Sequence, residues 1–295
     1  MILTVSVTLV ITGVLNGDYE LIRDLVRYIC TSCLGLGWAV KINIIRVIIQ
    51  ILSLVIVNLG INIVWKTGFI CPFLYCYGCP LAVSACPIGV LQNYVALGRL
   101  PLYPAGAFGI YGLAFGRFFC GWCCPFGAFQ DLLGKLGRRK LFKPRPVKFV
   151  KYVILLGVLI LAWLTADTFF CKLCPSGSLF AAIPFRILYP ELSYGFFFNV
   201  HVLTLAVLVF LFLLVGRFWC SYLCPFSPVL GSFNSISLVK IHRDLNKCTE
   251  CGICLKGCPM NIQNLEDIGL SSDCIRCGLC IDNCPEDALQ IKIRH

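Results

Sequence analysis

Eight cysteines near the C-terminus carry the sharpest chemistry. Cys248, Cys251, Cys254 and Cys258-Pro259 form C-x2-C-x2-C-x3-C-P, and Cys274, Cys277, Cys280 and Cys284-Pro285 repeat it. Two-residue gaps let one tight loop aim three thiolates at a single cube, and the proline turns the chain away. In such doubled motifs three cysteines wrap one 4Fe–4S cubane and the fourth ligates the other. The spacing therefore predicts one cluster on Cys248, Cys251, Cys254 and Cys284, and a second on Cys274, Cys277, Cys280 and Cys258. Four thiolates also suit tetrahedral zinc, but eight cysteines in this doubled order favour iron and sulfur.

Two further corners share a longer pattern. Gly116-Arg117-Phe118-Phe119-Cys120-Gly121-Trp122-Cys123-Cys124-Pro125-Phe126 is matched by Gly216-Arg217-Phe218-Trp219-Cys220-Ser221-Tyr222-Leu223-Cys224-Pro225-Phe226. Each is preceded by a Cys-x2-Cys-Pro, at Cys76–Pro80 and Cys171–Pro175. Cys120, Cys124, Cys220 and Cys224 supply the ligand count of a third cluster; the plainer reading is small buried residues at helix ends. A fourth set falls by symmetry on Cys76, Cys79, Cys171 and Cys174. Cys86-Pro87 is its rival, because it too precedes a proline, although aligning the Cys-x2-Cys-Pro pairs puts Ala181 opposite it. A disulfide is the alternative there if that face is oxidising.

Arg117 and Arg217 each stand three residues before a cysteine. Such guanidinium groups could compensate an anionic cluster, or anchor a helix end by reaching to lipid headgroups. His201 reads as a helix-packing residue. Three histidines in all, one of them in an apolar span, make a bis-histidine haem unexpected, and no haem or flavin is expected in this chain. Cys30, Cys33, Cys71 and Cys123 take no assignment.

The elements that position these thiols are apolar. Hydrophobic residues make up 59% and charged residues 13% of the chain, and mean hydropathy is +0.86. Soluble domains carry roughly 25% charged residues, so most of this surface must face lipid. Residues 42–65, 102–119, 149–170 and 194–219 are long enough in sequence to cross a hydrocarbon core of about 30 Å, the second being interrupted by Pro104 and glycines. Residues 87–100 read as an interfacial helix.

Charge sets the expected orientation. The 25 basic against 14 acidic residues read as positive-inside bias, and no basic element suggests nucleic-acid binding. Lys135, Arg138, Arg139, Lys140, Lys143, Arg145, Lys148 and Lys151, opposed only by Asp131, place the loop between the second and third spans in the cytoplasm. Four spans then put both termini there, in a multi-pass protein of the inner membrane. Residues 1–41 read as a cytoplasmic βα element carrying the Cys30–Cys33 pair; residues 2–15 alternate β-branched and polar residues as a strand does. The expected fold is mainly α: a membrane bundle over 42–238 built from two pseudo-twofold repeats, and a small α+β ferredoxin-like domain over 239–295.

The paired GRFFCGWCCPFG and GRFWCSYLCPFS segments, followed by the doubled ferredoxin motif, resemble the 4Fe–4S membrane proteins of the NapH/NosR type over residues 42–290. That resemblance implies clusters at the membrane surface, passing electrons between a cytoplasmic or quinone pool and a partner enzyme. It supports Cys120, Cys124, Cys220, Cys224 and the eight tail cysteines as ligands. The resemblance assigns no role to the run CPFLYCYGCPLAVSACPIG, and the long flavin-binding N-terminal region of NosR has no match. The expected function is a membrane-embedded relay, more an electron-transfer subunit of an oxidoreductase complex than an enzyme with its own substrate. Its partners would be the bilayer, redox subunits on the cytoplasmic and outer sides, and quinone if one binds. The alternatives are a quinol dehydrogenase subunit using only the cytoplasmic-side clusters, and a metal or thiol assembly or regulatory factor.

Overall fold

A computed structural model describes residues 42–59, 67–79, 81–137, 149–191 and 195–293. The predicted βα element at 1–41, with Cys30 and Cys33, lies outside the described residues, as does most of the basic loop. The described chain is mainly helical. Helix α1 spans Ile42–Val57, α2 Pro87–Ala96, α3 Leu102–Phe115, α4 Phe118–Trp122, α5 Pro125–Leu136 and α6 Val150–Thr165. Helix α7 (175–188) widens into a π-helical turn at Ser178–Ala182. Helix α8 spans Phe196–Leu214, and a second π-helical turn at Trp219–Leu223 leads to α9, Phe226–Ser232.

These helices are built inside-out compared with helices in water. In α1 the buried stripe is Ile42, Arg46 and Gln50, spaced one turn apart, while Ile44, Ile48, Ile51 and Val55 lie exposed. In α6 Lys151 is buried, whereas Val153, Leu156 and Ile160 face outward. A helix in water would do the reverse. Among the described residues α8 is the one helix long and apolar enough to cross a membrane, with 19 residues and hydropathy 2.5; at 1.5 Å per residue it is about 28 Å long. Helices α1, α3 and α6 are apolar but shorter. Pro104 falls in the first turn of α3, where a missing N–H leaves no bond unmade, so it begins the helix without breaking it. The stretch expected to be an interfacial helix, 87–100, contains the helix α2.

The tail closes on a two-stranded antiparallel sheet, β1 Val239–Arg243 with β2 Leu289–Ile293, in the register Ile241↔Ile291. Two short helices, α10 Ile253–Lys256 and α11 Leu279–Asp282, follow the two cysteine loops. Ile241, Ile262, Ile268 and Leu289 pack with Cys254 and Cys274 as a small core. Its position against the helices is fixed at several points. The Asp282 carboxylate accepts the first two backbone N–H groups of α1, from Ile42 and Asn43, at 3.0 Å each. Trp122 donates to the Arg276 carbonyl at 2.9 Å. Arg276 donates to the Phe115 carbonyl at 3.1 Å and to Ser237 at 2.7 Å.

Candidate metal centres

Four Cys-Pro corners organise the helical part. Cys86, Cys124, Cys174 and Cys224 have nearly the same backbone, with φ/ψ of −68/129, −71/112, −69/121 and −68/112. Proline forces the residue before it into extended backbone and itself suits the first position of a helix. Each cysteine therefore sits at a helix entrance, where free peptide N–H groups favour a thiolate. At α5 this is direct: the Gly127 N–H donates to Cys124 Sγ at 3.4 Å.

On the side nearest the tail, Cys120, Cys124, Cys220 and Cys224 come together closely enough to shift one another. Burial pushes the Cys224 thiol up to about 12, with Cys220 and Cys120 adding to the shift. Burial likewise raises Cys124 well above its ordinary range, Cys220 and Cys120 again contributing. Burial raises Cys220, while the Arg217 and Arg117 guanidinium groups pull it back.

The two arginines are reciprocal. Arg117 donates to the Cys220 carbonyl at 3.3 Å, and Arg217 to the Cys120 carbonyl at 3.1 Å. Both are fully enclosed by protein (1% and 0% exposed), so neither reaches toward headgroups. Arg217 pairs with Asp131 at 2.6 Å, and Asp131 also takes Arg46 at 2.7 Å. Burial alone would raise Asp131, but Arg217 and Arg46 overcome it and hold its carboxyl below the usual range. Asp273 pairs with Lys151 and stands 3.9 Å from Arg117. Among the described residues, four buried cations thus face two carboxylates, and Arg46 Nε and Nη1 and Arg117 Nε find no partner there. Buried charge left uncompensated costs several kcal/mol per ion. An anionic group held by the four thiolates would balance this excess, so the residues fit an iron–sulfur cluster.

At the far ends of α6 and α8 the structure brings together Cys76, Cys86, Cys171 and Cys174. Burial pushes Cys171 up to about 12, with Cys86 and Cys76 contributing; burial raises Cys174, again with Cys86 and Cys76. Two glycines border these thiols: a Cβ at Gly89 would stand 3.7 Å from Cys171 Sγ, and one at Gly177 3.6 Å from Cys76 Sγ, both ordinary contact distances. Cys79, which the symmetric expectation includes, lies elsewhere, its Sγ 3.7 Å from Asn58 Oδ1, which also receives the Tyr75 hydroxyl. The physical reason is the corner itself. Cys86 precedes a proline that starts a helix, and so it matches Cys174. All described cysteines are free thiols. His201 holds Ser178, which lies 3.0 Å from its Nδ1 and donates to its carbonyl at 2.9 Å, in keeping with a packing role. Cys71 donates to the carbonyls of Phe73 and Ala85.

In the tail, one small cavity is lined by Cys248, Cys251, Cys254 and Cys284. A second is lined by Cys258, Cys274, Cys277 and Cys280 together with Cys254. The cross-over of the fourth cysteines is therefore present in space. Matching backbone positions shape both loops: φ is positive at Glu250, Gly252 and Asn261 in the first motif and at Arg276, Gly278 and Asp287 in the second. These turns aim peptide N–H groups inward, as from Ala288 to Cys284 Sγ and from Gly269 to Cys274 Sγ, both at 3.4 Å.

The sets are contiguous. Cys220 and Cys277 pack with Met260 and Ile275 in one cluster that Cys120 and Cys258 also touch. Gly121 makes this approach feasible, since a Cβ there would lie 2.4 Å from the Ile275 carbonyl oxygen. Toward the far side, Phe170 stacks on Trp219 at 6.2 Å between ring centroids, joining the neighbours of Cys171 and Cys220. Sequence reasoning missed Arg46, Gln50, Gln92, Gln130 and Asp273. An arginine and a glutamine one turn apart in an apolar helix were the available signal for the first two.

Comparison with known proteins adds chemistry to this geometry. A 4Fe–4S binding domain matches residues 100–144, 149–184 and 197–243, and a 4Fe–4S dicluster domain matches 240–285. The chain is 30% identical to YccM of Escherichia coli, named as an electron transport protein, over 60% of this chain and 53% of that one. It is 30% identical to the uncharacterized protein MJ0750 of Methanocaldococcus jannaschii over 62% of this chain and 76% of that one. Similarity to the ferredoxin-type protein NapH of Escherichia coli is 30% over 59% of each. The chain spans about half the length of YccM and somewhat more of NapH. No solved structure matches.

Proposed function

The chain belongs to the NapH/NosR-type family of 4Fe–4S electron-transport proteins, and from that premise we propose that it is a membrane-embedded relay with four cluster sites in line. The tail sites are Cys248, Cys251, Cys254 and Cys284, and Cys258, Cys274, Cys277 and Cys280. The tail-side membrane site is Cys120, Cys124, Cys220 and Cys224, and the far-side site is Cys76, Cys86, Cys171 and Cys174. The observation that carries the reading is contiguity: Cys220 and Cys277 share one packed cluster with Met260 and Ile275, and Phe170 stacks on Trp219. A 4Fe–4S cluster would supply one-electron redox chemistry at each site. The chain's own residues set spacing, exclude water and place cations and N–H groups at the thiolates, which are the levers on potential.

Membrane embedding is supported by the apolar outer faces of α1, α3, α6 and α8 and by the charges that α1 and α6 enclose, Arg46 and Lys151. If the four apolar segments are four spans, the basic loop puts both termini and the tail in the cytoplasm. The reciprocal Arg117 and Arg217 bonds support a pseudo-twofold relation between the halves. Redox subunits on either side are the expected partners. Anaerobic iron analysis with EPR spin counting tests the sites. About sixteen irons per chain are expected, falling by about four in Cys86→Ser and unchanged in Cys79→Ser. A parent holding about eight irons would reduce the relay to its tail.

A second reading, quinol oxidation on the tail side, is favoured by a groove between α1 and α5. Val47, Ile51, Leu54, Leu132 and Leu179 line it, with Arg46, Gln50 and Asp131 at its polar end. It predicts that a short-chain quinol reduces the clusters of the purified protein and that Ile51→Trp, which fills the groove, abolishes this. Equal reduction in the variant would remove the groove from the account.

A further inference from the structure

Two glutamines occupy equivalent places beside the two membrane cysteine sets. Gln92 stands six residues after Cys86 in Cys-Pro-Ile-Gly-Val-Leu-Gln, and Gln130 six after Cys124 in Cys-Pro-Phe-Gly-Ala-Phe-Gln. Both are completely buried, at 0% exposure. Their amides bond alike. Gln92 Nε2 donates to the Ile88 carbonyl one turn back at 3.3 Å and to Cys171 Sγ at 3.6 Å. Gln130 Nε2 donates to the Phe126 carbonyl one turn back at 3.4 Å and to Cys220 Sγ at 3.2 Å. In each case the amide belongs to the first half of the chain and the sulfur to the second. The matching places in the second half are Phe180 and Leu230, which have no amide to give.

We propose that Gln92 and Gln130 are paired positioning residues that set the reduction potentials of the far-side and tail-side centres, each by donating an amide hydrogen bond to one thiolate from the opposite half. The proposal rests on the cluster reading above. Glutamine is a poor choice for a fully buried, apolar helix face unless its N–H groups are used. One N–H bonded to its own helix fixes the amide plane, so the other is held on the sulfur before any charge changes there. Hydrogen bonds to cluster sulfurs stabilise the more negative reduced state and raise the potential. Because the two amides reach Cys171 and Cys220, both in the second half, each would draw charge in its centre toward that half.

The test is an EPR-monitored redox titration of the purified full chain and of Gln130→Leu and Gln92→Leu, with iron counted in each preparation. Parent iron content tests the cluster reading by itself and is read first. Each substitution should lower the midpoint of one membrane centre, and the two variants should shift different centres. The expected change is about tenfold in the oxidised-to-reduced ratio at fixed ambient potential, or about 59 mV for a one-electron couple. Where a leucine variant fails to take up iron, Gln130→Asn or Gln92→Asn, which withdraws the amide by one methylene, should shift the same centre in the same direction. Unchanged midpoints with full iron content would overturn the proposal.

Discussion

The tail-side and far-side cysteine sets share a Cys-Pro corner and a glutamine donor, yet they differ in charge. Arg46, Arg117, Arg217 and Lys151 lie enclosed around the tail-side set with Asp131 and Asp273. Among the described residues, the neighbours acting on Cys86, Cys171 and Cys174 are other thiols, peptide N–H groups, Gln92 and Thr168. Among the described residues, the tail-side thiols thus have fixed cations beside them, whereas Cys86, Cys171 and Cys174 have neutral dipoles. A fixed cation stabilises the reduced, more negative state more strongly than a neutral donor does. The tail-side centre should therefore have the higher potential, and an electron would rest there longest.

Removing one of those cations should break the comparison most severely. Arg217→Leu takes away two bonds to Asp131 and the bond to the Cys120 carbonyl, and destabilisation of about 3–5 kcal/mol is expected for a broken buried pair. Thermal unfolding should show that loss, while EPR should lose the tail-side signal and keep the tail's own signals. Retention of the tail-side signal at its parental potential would refute the charge argument.

Gly121→Ala sharpens it next. The new Cβ would collide with the Ile275 carbonyl, and overpacking of this kind costs about 1–3 kcal/mol. The tail should separate from the helices, seen as faster proteolysis between 233 and 250 and slower electron transfer from tail to membrane centres, with the far-side signal unaffected. The smallest effect should come from Asp282→Ala, which uncaps α1. Loss of a capping side chain costs about 0.5–2 kcal/mol, and faster hydrogen exchange at Ile42 and Asn43 should report it without a change in iron content.

The sequence made the tail legible because its fourth cysteines follow a fixed crossing rule, and the tail-side set because both of its corners carry the same flanking residues. The far-side set was harder to read. Cysteine spacing alone aligns Cys76–Pro80 with Cys171–Pro175, whereas the backbone aligns Cys86-Pro87-Ile88-Gly89 with Cys174-Pro175-Ser176-Gly177. The physical information lay in the proline that starts a helix, not in the count of residues between thiols. The arginines were ambiguous for a different reason. An arginine at the end of an apolar span can reach water or turn inward, and only the carboxylates of Asp131 and Asp273, contributed by distant segments, decide between them.

The central claim is a continuous path from the tail to the far side, and transfer across a sealed vesicle tests it most directly. With the protein in liposomes, tail outward, a membrane-impermeant reductant outside and a trapped acceptor inside, the account predicts reduction of the acceptor. Cys86→Ser should abolish that transfer while the tail and tail-side EPR signals still reduce. Full transfer in Cys86→Ser, or none in the fully loaded parent, would contradict it.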